Sequence, residues 1–212
     1  MSLPVYDFRN DIRNVLVTPK IRSRFMQLEP GTYAEPHSHD LGHEIFIVMQ
    51  GTAIFEIDGK AGEVRPGQMC VALANQLHSI QVTSQEPMIM YLSVTPHIIP
   101  THTSWTDSGE KQPYRYGPPG AYDQPVPNES IQELAERVTK ATSELYEAAR
   151  ITADLSNDLP ISIKTVIENG DMESALKLRE TLLESLLPLY ELADKLAFDW
   201  NNFSPAVEDS MK

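Results

Sequence analysis

The sequence predicts a mainly β, antiparallel barrel or sandwich followed by an α-helical hairpin, and three observations carry that reading. Short apolar runs punctuated by Gly, Pro and Asp-Gly occupy residues 12 to 95. A proline-rich stretch interrupts the chain between 100 and 127. Beyond Asn128 the apolar spacing changes to the helical three and four. The expected division is therefore 1–99 for the β domain, 100–127 for a connecting segment and 128–212 for a helical extension.

In the first part, Val15-Leu16-Val17, Glu44 to Met49, Ala53 to Ile57, Met69 to Leu73 and Met88 to Val94 each have strand length. Asp58-Gly59 follows one of them directly, and both residues tolerate the positive φ of a type I′ hairpin turn. Strands this short, at this spacing, indicate a closed or double-layered antiparallel sheet. The connecting segment holds Pro100, Pro113, Pro118, Pro119, Pro125 and Pro127, so no regular element can run through it. Its aromatic residues Trp105, Tyr114, Tyr116 and Tyr122 are too many for a solvated linker, and parts of it should lie against the barrel.

The helical part opens on a capping box, Ser130 with Glu133. Ile131, Leu134, Val138, Ala141, Leu145, Ala148, Thr152 and Leu155 then form one stripe. A second helix is expected from Ser162 to Asn169, stopped by Gly170, and a third from Asp171, kinked at Pro188. The third is rich in leucine: 176, 178, 182, 183, 186 and 187. That face is wider than one partner helix needs, so it should also pack on the barrel or on a second subunit, and a homodimer is the expectation.

The chain carries 17 Lys+Arg against 30 Asp+Glu, a formal net charge of −13, which repels phosphate backbones and anionic lipid surfaces. Residues 128 to 212 hold 8 basic and 17 acidic side chains, net −9, so the acidity is concentrated there. Neither a nucleic acid nor a membrane is an expected partner. Cys70 is the single cysteine, which excludes an intrachain disulfide and favours a reducing compartment. The start, Met1-Ser2-Leu3-Pro4-Val5-Tyr6-Asp7, lacks the basic-then-apolar pattern of a leader, and a cytoplasmic location is expected.

All six histidines, at 37, 39, 43, 78, 97 and 102, lie in the first half of the chain. Residues two apart on a strand share a face, so His37 and His39 present two imidazoles to one region, and Glu44 at the start of the next apolar run adds a carboxylate. Such an N/O set suits a divalent transition metal: Fe, Mn, Zn, Ni, Cu or Co. His43, adjacent to Glu44, should point to the opposite face. His97 and His102 lie beyond the last strand and are read as surface residues. Cys70, with no basic residue nearby in sequence to lower its pKa, is read as a packed thiol.

The spacing of these residues resembles the first motif of the cupin superfamily: Gly31, five residues, His37-Ser38-His39, four residues, Glu44, six residues, Gly51. Pro66-Gly67, Met69 to Leu73 and His78 resemble the second, which departs from the family pattern in having Val82 where Asn is usual and Leu73-Ala74 where proline is usual. The resemblance covers residues 20 to 95 and leaves the helical part outside. It implies a small antiparallel jelly-roll barrel with a metal inside one open end, and a ligand set of His37, His39, Glu44 and His78.

No residue can be assigned to catalysis from sequence. Arg24, Met26 and Leu28 share one strand parity, Phe46 and Val48 share that of Glu44, and Met88, Met90 and Leu92 form another inward row, which makes Arg24, Phe46 and Met90 candidate pocket residues. Arg24 would there meet an anionic substrate. Three functions compete: a small metalloenzyme acting on an organic molecule by dioxygenase, decarboxylase or isomerase chemistry; a binding or sensing protein whose helical part couples occupancy to a partner; and a storage barrel, which would not need an intact ligand set.

Overall fold

The computed structural model describes residues 3–106 and 108–211. Met1 and Ser2, read above for a leader, lie outside them. Two compact units are present, one running to Val126 and taking in the residues from Ser204 on, the other spanning Pro127–Phe203.

In the first unit ten strands form two five-stranded antiparallel sheets: β1 (Asn14–Val17), β2 (Arg22–Leu28), β3 (Tyr33–Ser38), β4 (His43–Gln50), β5 (Ala53–Ile57), β6 (Lys60–Val64), β7 (Met69–Ala72), β8 (His78–Val82), β9 (Met88–Thr95) and β10 (Thr103–Ser104). One sheet has the order β1-β2-β9-β4-β7, the other β10-β3-β8-β5-β6. Non-sequential neighbours such as β2 with β9 and β3 with β8 give the jelly-roll crossing of chain from sheet to sheet.

Strand alternation puts Phe46, Val48, Phe55, Ile80, Met88 and Met90 in one buried core between the sheets. Asp58 and Gly59 both take positive φ, 51° and 72°, so the β5–β6 hairpin turns as its dipeptide predicts. Gly51 has φ 70°, and a Cβ there would stand 2.8 Å from the Met88 Cα, so the residue ending the first motif is required by both backbone and space.

The segment after β9 is more than a connector. β10 pairs with β3, Trp105 Nε1 donates to Ser38 Oγ at 2.9 Å, and Asp40 accepts from Thr103 Oγ1 and Lys111 Nζ at 2.8 Å each and from the Tyr114 hydroxyl. Tyr122 is buried in a single 3-10 turn, Pro119–Tyr122. Trp105 and Tyr114 are thus tied to the barrel and Tyr122 is buried, while Tyr116 is exposed.

The second unit is a helical hairpin. α1 (Ile131–Ser156) starts with the expected capping box, Ser130 and Glu133 each bonding the other's backbone. α2 (Leu159–Glu168) begins three residues earlier than expected, with Pro160 in its first turn, where a missing N–H costs nothing. α3 (Met172–Ser210) runs unbroken through Pro188. Arg137 joins the two long helices by donating to Asp199 from Nε at 2.9 Å, Lys195 pairs with Glu144, and the Thr152 hydroxyl donates to the Ser185 carbonyl at 2.8 Å. Among the described residues no helix is long and apolar enough to cross a membrane.

Candidate metal centre

His37, His39, Glu44 and His78 converge, with one ligand atom from each lying within 4.8 Å of every other, so the four could hold a metal ion. Their convergence is a product of register. Ala34 pairs with Ile80 and His37 with His78, so three steps on β3 match two on β8, and this bulge turns Ala34 and His37 to the same inner face. His39 follows immediately beyond the strand, and Glu44 is the second residue of β4, buried.

Each imidazole is oriented by a backbone carbonyl. His37 Nδ1 donates to Glu35 O at 3.0 Å, His78 Nδ1 to Gln76 O at 2.9 Å, and His39 Nδ1 to Thr101 O. A carbonyl can only accept, so each ring carries a proton on Nδ1; a neutral ring then holds its lone pair on Nε2, while a second proton on Nε2 of His39 or His78 would be donated to Glu44. Two of these Nε2 atoms stand 2.8 Å and 2.9 Å from the same carboxylate oxygen, Glu44 Oε2. Burial by itself raises the proton affinity of Glu44, but the imidazoles of His39 and His78 hold its carboxyl well below the ordinary carboxylate range.

His43 is exposed and its Nδ1 accepts from the Ala74 N–H at 2.9 Å, away from the cluster, as alternation requires. Cys70 is half-buried against the core and its thiol is pushed up to about 12, by burial first and by Glu44 second. Arg24, Phe46 and Met90 line one cavity of about 120 Å³ with His37 and Glu44.

Three residues take places that the sequence reading did not give them. Arg22 lines the same cavity as Arg24 and is buried; its parity with Arg24 was legible two residues upstream. His102 is exposed, as expected, but also borders the cavity, its ring 4.9 Å from those of both His37 and His39. His97, also expected at the surface, is fully buried. Neither histidine had a local signal, because both are placed by the return of the chain from β9 to β10 along β3.

Burial pulls His37 and His97 down to about 4; the charge of His78 adds to it at His37, and those of Arg22 and His39 at His97. A folded state that binds these protons more weakly than the unfolded chain loses stability as pH falls from the ordinary histidine value of 6.5 towards 4. Glu44, held below its ordinary 4.5, stabilises the fold above that value and loses the contribution as pH drops further, so both effects have one sign. The melting temperature of metal-free protein should therefore fall steadily on acidification from about pH 7 to pH 4. A flat or rising profile over that range would contradict this reading.

The family described as a cupin domain matches residues 24–95. Residues 24–95 are a cupin domain. Its span runs from β2 through β9 and includes all four clustered residues. A protein with a double-stranded β-helix domain from Klebsiella pneumoniae subsp. pneumoniae MGH 78578 is 21% identical over 45% of this chain and 91% of its own, with a TM-score of 0.42. KdgF from Halomonas sp. is 24% identical over 40% of this chain and 76% of its own, TM-score 0.38. The TT1209 protein of Thermus thermophilus is 16% identical over 44% of this chain and 98% of its own, TM-score 0.42. No curated protein matches the chain.

Proposed function

We propose that the cupin domain binds one divalent transition metal through His37, His39, Glu44 and His78 and is a small metalloenzyme acting on an organic molecule. The observation that carries this is the convergence of four donor groups, with one ligand atom from each within 4.8 Å of every other. With Nδ1–H committed to carbonyls, neutral His39 and His78 would turn their Nε2 lone pairs on Glu44 Oε2, itself a lone-pair donor. Two buried imidazoliums would relieve that, but the rings stack with centroids 5.4 Å apart, where two charges repel. A shared cation satisfies all the donors at once. Three neutral imidazoles and one carboxylate suit Fe, Mn, Zn, Ni, Cu or Co, and the carboxylate offsets part of the charge.

A bound transition metal would supply a Lewis-acid or redox centre of the kind that dioxygenases, decarboxylases and isomerases use. The chain's own part is to fix the imidazoles through Glu35, Gln76 and Thr101, to exclude bulk water with the apolar walls around Phe46 and Met90, and to leave one side of the cluster open to the cavity. We further propose a homodimer formed through α3 and, from the lone cysteine, a cytoplasmic location.

Metal analysis of protein purified without added metal tests the first step, with about one equivalent per chain expected. Oxygen uptake and product analysis with small diols, keto acids and thiols test the second. Protein that neither contains nor takes up metal would sink the proposal; a full metal complement without turnover anywhere in the panel would replace the enzyme with a ligand-holding protein.

A further inference from the structure

The walls of the cavity hold more positive charge than the metal reading uses. Arg22 and Arg24 both face it from β2, two residues apart on the inner face, among Met26, Leu28, Phe46, Met90 and Leu92. Arg22 Nε donates to Asn14 Oδ1 at 3.1 Å, and Asn14 in turn bonds Asp123, so one guanidinium has a nearby counter-charge. Arg24 is less well served: its Nε is buried without a hydrogen-bond partner, and it forms no ion pair among the described residues. Glu44 is the one carboxylate on the cavity wall, and it is engaged by His39 and His78.

A largely apolar pocket does not keep a guanidinium with a buried, unpartnered N–H for structural reasons, since an aliphatic side chain would fill the same space without the desolvation cost. A planar carboxylate matches the guanidinium fork and supplies the missing charge. At about 120 Å³, somewhat less than the ~150 Å³ void that holds benzene, the cavity sets the ligand at about five or six heavy atoms.

We propose that the cavity takes a small carboxylic acid, its carboxylate held by Arg24 with Arg22 behind it and its other polar end directed to the His37, His39, Glu44 and His78 cluster. The second half of this assignment rests on the metal reading; the first does not.

The test uses the full chain, cobalt-loaded and metal-free, titrated by calorimetry with three- and four-carbon 2-hydroxy and 2-oxo acids and with the corresponding amides. At least one acid should bind the cobalt form and change its visible spectrum, with the matched amide weaker by roughly 10- to 100-fold. Arg24→Gln should lose a similar factor for the acid while cobalt content and melting temperature stay unchanged, and Arg24→Lys, which keeps the charge without the fork, should fall between. If Arg24→Gln does not fold, Arg24→Lys and the acid–amide ratio still decide. Acids and amides binding alike, no acid binding at all, or full affinity in a folded Arg24→Gln would overturn the proposal. Arg24-dependent acid binding in a chain that takes up no cobalt would uphold the anion site and refute the metal.

Discussion

The double variant His37→Ala/His39→Ala is expected to lose stoichiometric metal binding altogether while keeping a folded barrel. Two of four ligands are removed, and the remaining Glu44 and His78 cannot enclose an ion. The fold should survive because the buried core of Phe46, Val48, Phe55, Ile80, Met88 and Met90 contains neither residue. Glu44→Gln should weaken binding by more than the roughly 10- to 100-fold typical of losing a supporting hydrogen bond, yet by less than the double variant, because an amide oxygen still coordinates. His43→Ala should leave metal content untouched, since its Nδ1 already bonds Ala74 N–H outside the cluster. Metal content by elemental analysis, with circular dichroism as the control for folding, checks all three; unchanged metal in the double variant would eliminate the site.

The second large effect is expected on assembly. Leu176, Leu183, Leu187 and Tyr190 are 42%, 53%, 50% and 71% exposed. The last three follow i, i+4, i+7 spacing, so they form one stripe on α3 that the hairpin leaves uncovered. A second copy presenting the same stripe across a two-fold axis would cover it, each substitution then counting twice. The wild-type chain should therefore elute near twice its 23.8 kDa, and Leu183→Glu/Leu187→Glu should elute as a monomer with metal binding intact. Leu186 is half-buried, so its substitution would test the hairpin and not the association. A deletion beginning at 126 is the poorer experiment, because the residues from Ser204 on group with the barrel. A wild-type monomer at micromolar concentration would refute the dimer.

Much of this molecule was legible in its sequence because the signals are local. The Asp58-Gly59 turn, the Ser130–Glu133 box and the inward parity of Met88, Met90 and Leu92 each depend on neighbours within a few residues, and each is found as expected. Gathering His37, His39 and Glu44 needed only one spacing. What the tertiary structure alone decided lies in the pairing of strands far apart in the chain. The bulge opposite His78 selects which side of β3 faces inward, and the return along β3 brings Thr101 to fix His39 and His102 to line the cavity. A helix running on past Pro188, and its last residues grouping with the barrel, likewise depend on contacts that periodicity cannot contain. Side-chain pattern determines which face is apolar; only closure of the sheets determines which polar groups meet inside.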